Sequence, residues 1–175
     1  MTDFWVFGYG SLMWRPDFPY AERRTAYLSG AHRSLCVYSW VHRGTPSAPG
    51  LVLGLDRGGA CRGIAYRVAP SHRDSVVAYL RDREQVTGVY QERIRRIEVE
   101  GVSAAALTFT VDRSHAQYAG KLDEETQFSI VRDASGKSGM NRDYVIATAD
   151  HLAELGIRDD LLARLAARLR ARSAD

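Results

Sequence analysis

The chain has 175 residues, 45% of them hydrophobic and 26% charged, with a formal net charge of +3. That length buries a core without disulfide or metal staples, and the composition is ordinary for a globular protein. No apolar run nears the ~18 residues of a membrane span, Met1-Thr2-Asp3 lacks the basic region of a signal peptide, and acids balance most of the arginines, with no aromatic-basic interleaving for nucleic acid.

These features imply one domain over residues 1–175 with the cytoplasm as its default compartment and no membrane partner. The charge reads as a solvated face rather than a nucleic-acid surface, and a weakly anionic small substrate fits the balance as well as a polymer does. The oligomeric state is open, a monomer being favoured.

In chain order, Phe4-Trp5-Val6-Phe7 reads as a strand. It meets Gly8-Tyr9-Gly10-Ser11, where glycine opens backbone angles closed to other residues and leaves amides uncovered. Such a turn can aim successive N–H groups at an anion or a carbonyl oxygen, and it can equally be an ordinary glycine turn. Trp14-Arg15-Pro16 and Pro19 mark an irregular loop. Gly30–Trp40 alternates as a strand, with Leu35, Val37 and Ser39 on one face, and residues 42–50 form a loop rich in turn formers. Leu51–Leu55 and Cys61–Val68 flank Asp56-Arg57-Gly58-Gly59, which predicts a hairpin.

A helix is predicted from Pro70 or Ser71 to Gln85 or Val86. With Val76 at zero, Leu80 falls at about 40°, Val77 at about 100° and Glu84 at about 80°. Glu84 therefore stands inside the apolar stripe, while Arg81, Asp82 and Gln85 project elsewhere. A carboxylate there is costly unless it is paired or has a task. Burial would raise its pKa toward that of a general base working near neutrality. A buried Glu paired to an arginine, and a helix end that lets Glu84 reach solvent, fit the periodicity as well.

Gly88–Val99 returns to strand, with Ile94, Ile97 and Val99 apolar and a bulge expected near Arg95-Arg96. Leu107, Phe109 and Val111 share a face of the next strand. Helices follow over Asp123–Ser135, Asn141–Leu155 and Arg158–Arg172, with Asn141 as an N-cap and Gly156 as a stop. The last carries the stripe Leu161, Leu162, Leu165 and Leu169. Strands first and helices last argue an α+β fold. Cys36 and Cys61 lie in apolar stretches and are expected to be buried and reduced. The scattered histidines show no ligand spacing, so no metal is expected.

Five motifs in order carry a family resemblance: Phe7-Gly8-Tyr9-Gly10-Ser11-Leu12-Met13-Trp14, Arg43-Gly44-Thr45-Pro46, Arg81-Asp82-Arg83-Glu84, Tyr118-Ala119-Gly120, and Ser138-Gly139-Met140-Asn141-Arg142-Asp143-Tyr144. Together the chain resembles the ChaC-type γ-glutamylcyclotransferases from about Trp5 to Leu162. The resemblance implies a small mixed β-barrel with flanking helices. It implies conversion of the γ-glutamyl group of glutathione into 5-oxoproline, releasing cysteinylglycine without a cofactor. The family's catalytic glutamate falls on Glu84. Its substrate loop falls on Gly8, Tyr9, Gly10, Ser11, Leu12 and Met13. Tyr118 matches a pocket tyrosine of the wider superfamily, and Tyr90 is carried as a pocket candidate. Gln85-Val86-Thr87-Gly88 departs from relatives that carry a lysine or glycines there, which touches the pocket rim and leaves the glutamate in place.

In the implied reaction the substrate's α-amine attacks its own γ-carbonyl, so an acyl-enzyme is unnecessary. Ser11, which has no accompanying His/Asp pattern, is then a hydrogen-bonding residue. The alternatives are a cyclotransferase for other γ-glutamyl amino acids or amines, and a non-catalytic binding module of the same fold.

Overall fold

The computed structural model describes residues 4–172. Strands β1 (Phe4–Gly8), β2 (Glu22–Ser39), β3 (Gly50–Val68), β4 (Tyr90–Val99) and β5 (Val102–Val111) close into a barrel in the order β1-β3-β2-β4-β5. β1 runs antiparallel to β3 and parallel to β5, which makes the barrel mixed. Helices α1 (Arg73–Glu84), α2 (Glu124–Asp133), α3 (Asn141–Glu154) and α4 (Asp160–Arg172) complete an α+β fold, with the short pair β6 (Ser135–Gly136) and β7 (Gly139–Met140) between α2 and α3. Among the described residues no helix is long and apolar enough to cross a membrane. Contacts gather into two compact units. The first takes the chain up to Ser34 with Gly54–His115, and the second takes Leu35–Leu53 with the chain from Ala116 on.

In the first unit the core holds Val6, Phe7, Leu28, Leu55, Tyr66, Ile97, Leu107 and Phe109, each at most 2% exposed. Each large apolar side chain so buried is worth about 1.5–3 kcal/mol before entropy is counted. The helix α1 contributes Val76 and Leu80, as its periodicity requires. β1 ends at Gly8, opposite Ile64. A Cβ on the neighbouring Gly63 would run into Gly8 O and the Phe7 ring, so only glycine lets β3 pass that close.

Three expectations fail in this unit. β2 starts at Glu22 instead of Gly30, because its first residues, Glu22-Arg23-Arg24-Thr25, are not buried and carry no apolar alternation. The predicted hairpin around Asp56–Gly59 is absent, since residues 50–68 form one continuous strand. Gly58 and Gly59 do have positive φ, 104° and 67°, but they use it within the strand. His32 Nδ1 donates to Gly58 O at 2.9 Å, and Asp56 Oδ1 accepts from Arg57 N and Arg113 Nε, both at 2.8 Å, so this stretch stays tied in the unit. Finally, β4 has no bulge: its register with β5 is unbroken from Tyr90 opposite Val111 to Val99 opposite Val102. Ile94 is consequently 63% exposed, and Arg93 and Arg95 share the face of Ile97 and Val99. Glu100 and Gly101, both at positive φ, make the two-residue turn that this pairing needs.

The second unit is built on α2, α3 and α4, whose buried residues include Phe128, Val131, Val145, Leu152, Leu162, Leu165 and Leu169. Leu161 is 36% exposed and lies off the stripe. Asp123 caps α2 by accepting from Thr126 N at 2.7 Å. Gly156 ends α3 at φ 70°. Asn141, expected as the N-cap of α3, is its first helical residue, and Met140 occupies the cap position. The Asn141 amide is committed elsewhere: Oδ1 accepts from Leu51 N and Nδ2 donates to Leu51 O, each at 2.8 Å. A fully buried side chain thus completes the backbone pairing of β3 at Leu51. Cys36 and Cys61 are buried and are not joined in a disulfide.

Candidate active site

Beyond Gly8 the chain of the first unit folds over itself into a short 3-10 turn, Ser11–Met13. A Cβ on Gly8 would lie 2.9 Å from Leu12 Cβ, so the turn needs glycine there. Every carbonyl from Tyr9 to Met13 is engaged. Arg33 Nε donates to Tyr9 O at 2.6 Å, and Met13 N to Gly10 O at 2.9 Å. Arg15 N donates to Ser11 O at 2.8 Å. The Tyr66 hydroxyl, at 2.8 Å from both Leu12 O and Met13 O, holds the last two. With the carbonyls turned into the protein, the N–H groups of Gly10, Ser11 and Leu12 find no acceptor among the described residues. That is the makeup of a cradle for a carboxylate or a developing oxyanion.

Tyr66 is fully buried, and burial pushes its phenol up, so it stays a donor. Phe18 and Tyr20 pack on its ring, with centroids 5.5 and 4.9 Å away.

Glu84 is the last residue of α1, and its side chain is 17% exposed, so the helix end does not release it to solvent. Burial raises its pKa from the ordinary carboxylate value, and the Arg83 charge offsets part of that rise. The contact with Arg83 is loose, 3.5 Å from Nε to Oε1. Arg83 in turn reaches the cradle, donating from Nη2 to Ser11 Oγ at 2.9 Å. The structure therefore brings the end of α1 and the Gly8–Met13 loop together. Tyr90 stands half-buried at the head of β4, opposite Val111. Tyr118 belongs to the second unit, where it bridges Val37. Gln85, Val86, Thr87 and Gly88 form an exposed turn after α1, with Val86 73% exposed.

Two further motifs meet within the second unit. Arg43 Nη1 donates to Met140 O at 3.2 Å and its guanidinium lies 5.5 Å from the Tyr144 ring centroid. His42 Nδ1 and Ser138 Oγ are 2.9 Å apart, and Leu53 N donates to Tyr144 OH at 3.0 Å. The Arg43–Pro46 loop and the Ser138–Tyr144 stretch are thus two halves of one hydrogen-bonded substructure.

Arg83, Tyr66 and Arg33 are contributors that sequence reasoning passed over. Arg83 had a signal, since it adjoins Glu84 and stands four residues from Tyr79, on one helix face with it. Tyr66 had one too, a phenol within the apolar run Ile64-Ala65-Tyr66 that must find a partner when buried. Arg33 had none, because its acceptors, Tyr9 O and Arg62 O, come from distant turns of the chain. Among the described residues no group of three or more His, Cys, Asp or Glu side chains is placed to hold a metal ion.

The ChaC-like protein family model matches residues 4–172. The chain is 34% identical over 157 residues to the glutathione-specific gamma-glutamylcyclotransferase of Escherichia coli (strain K12), covering 89% of this chain and 68% of that protein. It is 32% identical over 157 residues to the Homo sapiens glutathione-specific gamma-glutamylcyclotransferase 1, covering 87% and 71%. The crystal structure of a yeast gamma-glutamyl cyclotransferase specific to glutathione superposes with a TM-score of 0.85 at 21% identity, over 98% of this chain and 99% of that one, which is a likeness of fold. With a family match along the whole described chain, this protein belongs to the ChaC-like family.

Proposed function

We propose that the protein is a cofactor-independent lyase, a glutathione-specific γ-glutamylcyclotransferase that closes the γ-glutamyl group into 5-oxoproline and releases cysteinylglycine. The observation that carries the reading is the pairing of a mostly buried Glu84, its pKa raised by burial, with a cradle whose amides lack acceptors, the two joined through Arg83. The curated relatives bearing that name support the substrate.

The reaction forms a C–N bond between the substrate's α-amine and its γ-carbonyl carbon and breaks the amide C–N bond to cysteine. Holding the γ-glutamyl chain folded supplies much of the acceleration, since both reacting groups belong to one molecule. The amine arrives protonated and must lose a proton before it can attack. Glu84 takes that proton and returns one to the departing amine, a role for which a raised carboxylate pKa is suited. The amides of Gly10, Ser11 and Leu12 bind the α-carboxylate or stabilise the carbonyl oxygen as charge develops on it. Gly8 permits the turn, the Tyr9 ring walls the pocket, Met13 closes the loop, and Ser11 donates a hydrogen bond. Tyr90 and Tyr118 are further pocket candidates. Cys36 and Cys61 are buried and not joined in a disulfide, which fits a reducing compartment, so we place the reaction in the cytoplasm.

The test is release of 5-oxoproline from glutathione and, in parallel, from γ-glutamyl-alanine. Release from glutathione alone supports the reading; release from both widens the substrate class to γ-glutamyl amides; release from neither refutes the activity.

A further inference from the structure

We propose that Arg83 is a positioning residue that couples the cradle to the proton-transfer group, a role that rests on the functional reading above. Its side chain is 19% exposed, and three of its five N–H donors are spent on fixed oxygens. Nη1 donates to Arg15 O at 2.7 Å and to Tyr79 OH at 2.9 Å, and Nη2 donates to Ser11 Oγ at 2.9 Å. One of those acceptors belongs to the Gly8–Met13 loop, one to the segment that follows it and one to α1. A planar fork of five donors can span all three, and a single ammonium cannot.

The bond to Ser11 has a chemical consequence. A guanidinium only donates, so Ser11 Oγ accepts from it and keeps its own proton to give. The hydroxyl is thereby turned into a donor beside the open amides of Gly10, Ser11 and Leu12.

What Arg83 withholds from Glu84 is equally telling. Two residues earlier on the same helix, Arg81 shows the contrasting case: it grips Glu92 with both arms of its fork, at 2.7 and 3.0 Å, and holds that carboxyl below the usual range. Arg83 spends its fork on the loop and meets Glu84 only through Nε, at 3.5 Å. Glu84 accepts no hydrogen bond among the described residues, and its carboxyl stays above the usual range. The partner is near enough to let the carboxylate form and too loose to lock it as one. Around the pair, Arg15 just past the loop presents its backbone carbonyl, Tyr79 presents its phenol to Arg83, and Arg83 is the one charge acting on Glu84 among the described residues.

The experiment compares the native chain with Arg83→Gln and Arg83→Lys. It follows the Glu84 carboxyl titration by carbon-13 NMR and the pH profile of 5-oxoproline release over a range of glutathione concentrations, with melting curves as a control on folding. In Arg83→Gln the counter-charge is gone and the ionised form is disfavoured. The Glu84 titration and the acid limb of kcat/KM therefore move to higher pH together, and KM rises about tenfold or more as the loop loses its anchor. In Arg83→Lys the acid limb returns toward its native position while KM stays raised. A Glu84 titration unmoved in Arg83→Gln, or a native KM in Arg83→Lys, overturns the assignment. The titration needs no turnover: a native chain that makes no 5-oxoproline defeats the functional reading alone, and an unmoved titration defeats the role of Arg83 alone.

Discussion

Glu84 ends α1 with its side chain mostly withdrawn from water and with no hydrogen bond among the described residues to compensate its charge. In the proposed reaction, Glu84→Gln removes the proton acceptor and lowers turnover by roughly 10²–10⁴ while the fold persists; a folded, fully active variant would end the catalytic assignment. The same substitution has a thermodynamic signature. A carboxyl whose folded pKa is raised binds its proton more tightly in the folded chain than in the unfolded one. Its favourable contribution is complete below the ordinary carboxylate pKa and is lost as pH rises through the raised value. Glutamine cannot ionise and escapes that loss. Glu84→Gln is therefore expected to raise Tm relative to the native chain at neutral pH, with the difference closing as pH falls toward 4; melting curves across that range read it directly. Tyr66 carries the other prediction at this scale. Tyr66→Phe leaves Leu12 O without its donor and Met13 O with only Arg23 Nη2 at 3.3 Å, a cost of about 1–3 kcal/mol for a buried carbonyl. Chemical denaturation should show that loss, and KM for glutathione should rise because the open amides are no longer held in place.

At the scale of elements, β1, the turn after it and α1 were legible because periodicity and glycine placement each had one consistent reading. Glu84 stood out for the same reason, as a charge at about 80° within a helical apolar stripe. The failures arose where a local signal has two tertiary uses. Gly58 and Gly59 adopt the positive φ that the sequence suggested, but positive φ serves a bend within a strand as readily as a hairpin. Ile94, out of step with Ile97 and Val99, suggests a bulge near Arg95-Arg96; an exposed isoleucine beside an unbroken register removes the need for one. Asn141 is the more instructive case. Its sequence position fits an N-cap, and no local pattern tells that its amide will meet the Leu51 backbone ninety residues away along the chain. That pairing is testable through packing-neutral substitution. Asn141→Leu leaves the Leu51 N–H and C=O both buried and unmatched, and should cost about 1–3 kcal/mol or more, read as a lower urea midpoint at unchanged slope. Asn141→Asp keeps the acceptor for Leu51 N but sets a carboxylate against Leu51 O, and should be no better tolerated.

For the whole molecule, we propose that residues 1–175 act as one domain even though contacts gather into two units. Each unit is assembled from two separate stretches of chain, and the division falls inside continuous strands, between Ser34 and Leu35 in β2 and between Leu53 and Gly54 in β3. A strand cannot lose its pairing at one end without loosening the register of the rest, because one slipped residue reverses which face each side chain presents. The cradle and Glu84 lie in the first unit, and the substructure of Arg43 with Ser138–Tyr144 lies in the second. The expected outcome is a single calorimetric transition whose van't Hoff and calorimetric enthalpies agree, near about 120 kcal/mol for a chain of this length at 60 °C. Far-ultraviolet circular dichroism, weighted toward the helices, and near-ultraviolet signals from the aromatic residues should then lose amplitude at one temperature. Two resolved transitions, or helices that melt apart from the aromatic core, would show that β2 and β3 do not transmit unfolding across the division and that the chain folds as two independent parts.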